Sequence, residues 1–237
     1  MKIALIGYGK MGKEIEKMAL ERGHSISSII DQNNTNDFSS SDFLNSDVAI
    51  EFSKPESAVS NYKYCFKNNI PVVSGTTGWL KQFDKVKNIC NEKNQTFFYA
   101  SNFSLGVNIF FEINKKLAHL MKPIEGYKVS INEIHHTQKL DTPSGTAISL
   151  AEQIIENLSH QTSWALNSSN NSEINITAQR IANTPGTHTI KYESEIDEIT
   201  LEHKARSRKG FALGAVLAAE FIENKKGIFN MQDLLNL

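Results

Sequence analysis

Along the first third of the chain, short apolar runs alternate with longer stretches whose apolar residues recur at helical spacing. Lys2 to Ile6 reads as a strand. Lys13 to Arg22 reads as a helix, with Ile15, Met18 and Ala19 on one face and Gly23 as its stop. Ile26 to Ile30 reads as a second strand ending at Asp31, and Val48 to Phe52 as a third. Between them, Asn33 to Ser46 is polar and loop-like, with a short turn near Phe38. Ser53-Lys54-Pro55-Glu56 predicts a helix start, with Ser53 at the cap and Glu56 three residues on. Ala58, Tyr62, Cys65 and Phe66 form the buried stripe of that helix. Val72-Val73 and Thr96 to Tyr99 read as further strands, separated by a helix over Leu80 to Asn94. Strands spaced by helical patterns of this length predict βαβ units and a parallel sheet.

The periodicity changes after about residue 104. Val107 to Leu120 is helical. Tyr127, Val129, Ile131 and Glu133 then alternate with Lys128, Ser130 and Asn132, which is the spacing of a half-buried strand. A helix over Thr146 to Leu158 and a polar loop from Ser159 to Ser172 follow. Ile174–Ile181, Thr187–Tyr192 and Glu198–Ala205 are strand-like runs with no room for crossover helices, so they predict an antiparallel or mixed sheet in a second, α+β domain. Phe211 to Glu223 is again an apolar helix.

Composition narrows the classes. The chain has 237 residues, 40% hydrophobic and 22% charged, the make-up of a globular protein of one large domain or two modest ones. Its 25 basic and 26 acidic residues give a net charge of -1, which argues against a nucleic-acid partner. Two cysteines are too few for a disulfide framework. No stretch approaches 18 apolar residues, so no membrane helix is expected. The N-terminal apolar run breaks at Gly7, too short for a signal peptide, so a reduced cytoplasmic setting is expected. The abundant asparagines read as surface bias without chemistry, and Cys65 and Cys90 as core residues.

Four segments carry candidate chemistry. Gly7-Tyr8-Gly9-Lys10-Met11-Gly12 follows a strand and opens a helix, the context in which G-x-G-x-x-G binds a dinucleotide. The helix start offers free N–H groups to phosphates. Asp31, at the end of the second strand, can bind the ribose hydroxyls, which favours NADH, while Lys10 offsets its charge and admits NADPH. The fold class expected is therefore α/β, a Rossmann-type doubly wound parallel sheet joined to the α+β domain. Gly75-Thr76-Thr77-Gly78 and Ala100-Ser101-Asn102-Phe103 follow parallel strands, where open α/β sheets bind ligands. Glu133 to Thr146 is the densest segment. His135, His136 and Lys139 lie at a strand end, and Pro143-Ser144-Gly145-Thr146 leads into a helix whose N-terminus suits an anion. A basic cluster beside such a nest predicts a carboxylate or phosphate substrate; no metal site is expected. Arg206-Ser207-Arg208 adds guanidinium groups that suit carboxylates.

These segments together resemble the 4-hydroxy-tetrahydrodipicolinate reductase (dihydrodipicolinate reductase) family of the diaminopimelate route to lysine. Glu51-Phe52-Ser53-Lys54-Pro55, Asn102 to Asn108, Gly186-Thr187-His188 and His203 to Arg208 also match, so the resemblance spans nearly the whole chain. It implies a dinucleotide-binding domain over 1–104 and 209–237, and a substrate-binding and tetramerisation domain over 105–208. It implies a homotetramer, a small dicarboxylate substrate and NADH or NADPH as hydride source. Carried over by position, His135 looks like the proton donor and acceptor and Lys139 a proton donor. His136, Gly145 and Thr146 would hold the substrate carboxylates, with Ser144 and Arg208 assisting. Phe52 would contact the cofactor, and Gly75 to Thr77 and Ala100 to Phe103 would hold its nicotinamide end. Two other readings compete with this one. Another two-domain NAD(P)-dependent dehydrogenase would need a different nucleophile or Lys/Asp pair. A non-catalytic NAD(H)-sensing module would not need His135, Lys139 and the anion nest together.

Overall fold

In the computed structural model, which describes residues 1–237, the alternating first third forms β1 (Lys2–Ile6), α1 (Lys10–Glu21), β2 (Ser25–Ile30), α2 (Ser41–Leu44), β3 (Val48–Glu51), α3 (Pro55–Lys67), β4 (Val72–Ser74), α4 (Phe83–Glu92) and β5 (Thr96–Tyr99). The middle of the chain forms α5 (Leu105–Met121), β6 (Lys128–His135), α6 (Gly145–Asn157), β7 (Ser163–Leu166), β8 (Glu173–Arg180), β9 (Gly186–Glu193) and β10 (Glu198–Ala205). The chain closes with α7 (Lys209–Phe221), β11 (Gly227–Phe229) and α8 (Met231–Leu235). Two units result: Met1–Leu105 with Arg208–Leu237, and Gly106–Ser207. Leu105 and Arg208, expected in the second unit, belong to the first.

The first unit is built on one parallel sheet in the order β11-β5-β4-β3-β1-β2. Successive side chains of a strand point to opposite faces. Ile3 and Leu5 therefore pack with α1 and α7 on one side, through Ile15, Ala19, Ala215 and Ala219. Ala4 and Ile6 pack with α3 and α4 on the other, through Ala58, Tyr62, Cys65, Val86 and Cys90. Both cysteines are free and buried, and burial raises their thiol pKa, that of Cys90 to about 11. The strand order reverses between β1 and β3, which opens a crevice at their C-terminal ends.

The second unit is a mixed sheet in the order β10-β9-β6-β8-β7. β6 is antiparallel to β9 and parallel to β8, so the link from β6 crosses over through α6. Val129 and Ile131 of β6, Ile174 and Ile176 of β8, and Ile190 and Tyr192 of β9 face α5 and α6 and form the core.

Several local expectations change. Asn33 to Ser46 holds a 3-10 turn over Thr35–Ser39 and then α2, because Phe38 and Phe43 are both buried beneath α3 residues. Ser53 does not cap α3: Lys54 stands at the cap and Pro55 at the first turn, while the Ser53 hydroxyl donates to Glu51. The helix expected from Leu80 starts as a 3-10 turn, and α4 begins at Phe83. Within the expected loop from Ser159 to Ser172 lies β7, an edge strand paired to β8. The asparagines do carry a structural role. All six non-glycine residues with positive φ are asparagine, among them Asn69, Asn94 and Asn224 just after α3, α4 and α7. Asparagine tolerates the left-handed conformation that ends a helix.

Candidate functional site

In the first unit, the glycine fingerprint sits where β1 meets α1. Gly7 has φ +91, and a Cβ there would collide with the Phe52 carbonyl at the end of β3. A Cβ at Gly12 would collide with the Gly7 carbonyl, so the third glycine lets helix and strand close together. Gly9 has nothing within 4 Å of an added Cβ, and as the N-cap of α1 it makes no side-chain cap bond. The first-turn N–H groups of α1 are thus open to a pyrophosphate, and these residues fit a dinucleotide. Lys10 is exposed at the helix start, whereas the Met11 side chain packs against the core. The Tyr8 hydroxyl donates to Glu16 and so is tied to its own helix. Asp31 is exposed just past β2; its Oδ1 accepts the Gln32 N–H at 2.8 Å. Lys54 Nζ lies 3.4 Å from Gln32 Oε1, a second cation near that strand end.

The loops after β3, β4 and β5 are braced from beneath. Glu51 is fully buried and receives hydrogen bonds from Ser53 Oγ, Asn61 Nδ2 (3.3 Å) and Ser74 Oγ (3.0 Å). Burial pushes its carboxyl pKa up against these donors. The Ser53 N–H donates to Thr76 Oγ1 at 2.8 Å, and the Gly75 N–H to the Glu51 carbonyl at 2.9 Å. Gly75 lies under the Phe52 ring, which an added Cβ would strike, and that ring is 5.5 Å from the Phe103 ring. Thr76, Ala100 and Phe103 are buried, while Thr77 and Ser101 are exposed. Asn102 accepts the Ser104 N–H at 2.9 Å through Oδ1.

In the second unit the inward stripe of the sheet changes character at one end. On β6 it runs Val129, Ile131, Glu133, His135. His188 on β9 stands opposite Glu133, and Arg180 on β8 opposite His135. Glu133 is fully buried. It accepts the Ser144 N–H at 3.1 and 3.2 Å and Arg180 at 3.2 Å, and it lies 3.4 Å from His135 Nδ1 and 3.7 Å from His188 Nε2. Burial would raise its pKa, but the pull of His135 and Ser144 outweighs this and holds it at about 2. His188 is driven down to about 3, first by burial and then by the charge of His135, so it is neutral at pH 7.

Ser144 caps α6: its Oγ accepts the Ala147 N–H at 3.2 Å and shares a hydrogen bond with His188 Nε2 at 3.1 Å. Gly145 is exposed with open space where a Cβ would be, and Thr146 is half-buried, so this helix start presents N–H groups to an anion. Lys139 Nζ donates to Asp141 Oδ2 at 2.9 Å. His136 is half-buried, and its Nδ1 has no hydrogen-bond partner. Arg208 stands at the N-cap of α7 in the first unit. The donor atoms of Glu133, His135 and His188 lie within 4.8 Å of one another, a spacing open to a transition metal. Arg180 and the Ser144 N–H already compensate the carboxylate, so the group reads as an ion-paired cluster. Glu133 and His188 fell within segments marked by the sequence but were given no role there, and Arg180 was not marked at all. Their signal is register: each continues the inward stripe of its strand beyond the last apolar position.

Residues 1–103 match the family model described as Dihydrodipicolinate reductase, N-terminus, and residues 106–235 match Dihydrodipicolinate reductase, C-terminus. The 4-hydroxy-tetrahydrodipicolinate reductase of Christiangramia forsetii is 53% identical over 240 residues, covering 100% of this chain and 98% of its own. That of Thermosipho africanus is 34% identical, covering 99% of this chain and 98% of its own. Among solved structures, the dipicolinate-bound dihydrodipicolinate reductase of Paenisporosarcina sp. TG-14 superposes with a TM-score of 0.78 at 23% identity, covering 98% of each chain. Matched across both units and nearly end to end, this chain belongs to the dihydrodipicolinate reductase family.

Proposed function

We propose that the chain reduces (2S,4S)-4-hydroxy-2,3,4,5-tetrahydrodipicolinate to 2,3,4,5-tetrahydrodipicolinate. One NAD(P)H and one proton would be consumed and water released, in lysine and diaminopimelate biosynthesis. The observation that carries this reading is the buried Glu133–His135 pair next to the Ser144-capped start of α6. Proton transfer and dianion binding are thereby offered at one end of one sheet. The dipicolinate named for the Paenisporosarcina relative supports a small cyclic dicarboxylate as substrate.

The nicotinamide would supply the hydride. The N–H groups of Gly145 and Thr146, with the His136 ring, would hold the carboxylates. His135 would exchange the proton at the reacting carbon, and Lys139, steadied by Asp141, would donate the proton that leaves with water. Asp31 favours NADH, and Lys10 and Lys54 supply positive charge for a 2′-phosphate, so both cofactors are accepted. We further propose a homotetramer built through the second unit's sheet, where Asn132, Thr177 and Lys191 face away from the core. The two buried, free cysteines suit a reducing cytoplasm, and no helix is long and apolar enough to cross a membrane.

The test is an assay at the nicotinamide absorbance band with each cofactor, the substrate being formed from pyruvate and aspartate semialdehyde by the preceding aldol enzyme. Oxidation should depend on that substrate, and light scattering should give about four chains per particle. His135→Gln and Lys139→Ala should each lower kcat by about 100-fold or more, with nicotinamide affinity nearly unchanged. No oxidation with either cofactor would defeat the reading.

A further inference from the structure

We propose that Glu133 is the positioning residue of this site: its carboxylate locks the His135 imidazole and the first turn of α6 into one fixed relation. The inference rests on the proton-transfer role given to His135 above.

The first observation is where Glu133 lies. It is two residues before His135 on the same inward face of β6, directly after Val129 and Ile131. The alternation calls for an apolar side chain there, and a carboxylate with no exposure is costly unless it is compensated. The second is how the compensation is arranged. It comes from the loop before α6 through the Ser144 N–H, from β8 through Arg180, and from its own strand through His135. Arg180 also donates to the Asp141 carbonyl and to Thr142 Oγ1, both at 2.7 Å, so the same guanidinium pins the loop that carries Lys139. The third is that α6 is tied in twice. The Ser144 backbone donates to Glu133, while its hydroxyl caps the helix and meets His188.

The ring of His135 is thereby held with its two nitrogens in unlike surroundings. Nδ1 lies 3.4 Å from Glu133 Oε2, an ion-pair distance at which no hydrogen bond is made. Nε2 lies beside Gly186, where an added Cβ would come within 3.1 Å. His188 packs edge-on at 4.9 Å between centroids. The groups that face this corner are Arg180 from β8, His188 from β9 with His203 of β10 beyond it, and Lys139 from the loop. Asp141 is exposed and paired to Lys139. Glu133 is thus the one buried anion among cations and a neutral imidazole. Its position orients the ring, with Nδ1 turned toward the carboxylate.

The test uses Glu133→Gln and Glu133→Asp in the full chain, read against His135→Gln. Glutamine keeps an oxygen for the Ser144 N–H but loses the charge. Its kcat should fall roughly 10- to 100-fold, with KM and nicotinamide affinity changed by less than about 3-fold. The pH profile of kcat should also differ from wild type, because a neutral amide replaces the carboxylate 3.4 Å from His135 Nδ1. Aspartate should recover part of kcat and bring the profile back toward wild type. The Glu133→Gln/His135→Gln double variant should be no slower than His135→Gln alone, because a residue acting through another adds nothing once that other is gone. A Glu133→Gln protein with wild-type kcat and pH profile would overturn the proposal. So would a loss of activity that only follows a lower folded fraction and is no better in Glu133→Asp. NMR titration of the His135 ring in wild type and Glu133→Gln reads the pairing without turnover. It separates failure of this inference from failure of the reductase reading.

Discussion

Gly12 is the smallest part of the first unit and one of its least replaceable. A Cβ there meets a backbone carbonyl, that of Gly7, which cannot swing aside as a flexible side chain would. Gly12→Ala should therefore push α1 off β1, costing about 1–3 kcal/mol and abolishing saturable NADH binding by fluorescence. An unchanged dissociation constant would contradict this. Residue by residue, what was legible in the sequence was what acts locally. The glycine fingerprint, Asp31 and the run from His135 to Thr146 announce themselves because turns, helix starts and strand ends are set by near neighbours. The cluster of Glu133, Arg180 and His188 did not, because Arg180 and His188 lie 47 and 55 residues beyond Glu133 in the chain and meet it only through strand register. The two buried glutamates show how environment assigns roles. Glu51, held by hydroxyls and an amide, has its pKa raised by burial, whereas Glu133, beside Arg180 and His135, stays ionised.

At the scale of elements, most helices and strands followed from periodicity, and the misses share a cause. β7 and β11 are edge strands of 4 and 3 residues, too short to show alternation. β11 covers what would otherwise be the open edge of β5, and α8 follows it directly, packing Met231, Leu234 and Leu235 against the core of this unit. The start of α8 is a reciprocal cap: Asn230 Oδ1 accepts the Gln232 and Asp233 N–H groups, and Asp233 accepts the Asn230 N–H at 2.8 Å. Asn230→Ala should cost about 1 kcal/mol. Hydrogen exchange should then quicken first in β11 and α8; uniform quickening over the whole unit would show that the cap is not a local anchor. The Ser53 expectation failed for a related reason. The motif was right for a capping box, but a buried carboxylate two residues back competes for the same hydroxyl, and Pro55 starts the helix without it.

For the molecule as a whole, the buried charges of the second unit set its acid limit. His188 binds its proton far less readily in the fold than in the open chain, so stability falls as pH drops below about 6.5 toward 3. Glu133 is held at about 2, so its contribution is present above its ordinary range and lost as pH falls from about 4.5 toward 2. Both act in one direction, and each tenfold change in proton affinity is worth about 1.4 kcal/mol. Tm should therefore decline from pH 6.5 to 4.5, and His188→Gln should flatten that decline; an equal slope in the variant would assign it elsewhere. The two-unit organisation was legible as a change of periodicity, and the interleaving of the first unit through the resemblance, which returns the chain after residue 208 to the first unit as the structure does; α7 alone carries no local sign of which sheet it will cover. That interleaving has a consequence for synthesis. When the ribosome has made β1 to β5, the face carrying Ile3, Leu5, Ile50 and Val73 still lacks Ala212, Ala215 and Ala219. At roughly 5–20 residues per second, the intervening hundred or so residues leave it uncovered for roughly 5–20 s. The continuous second unit can close on the ribosome, while the first waits, apolar face open to chaperones, until α7 emerges.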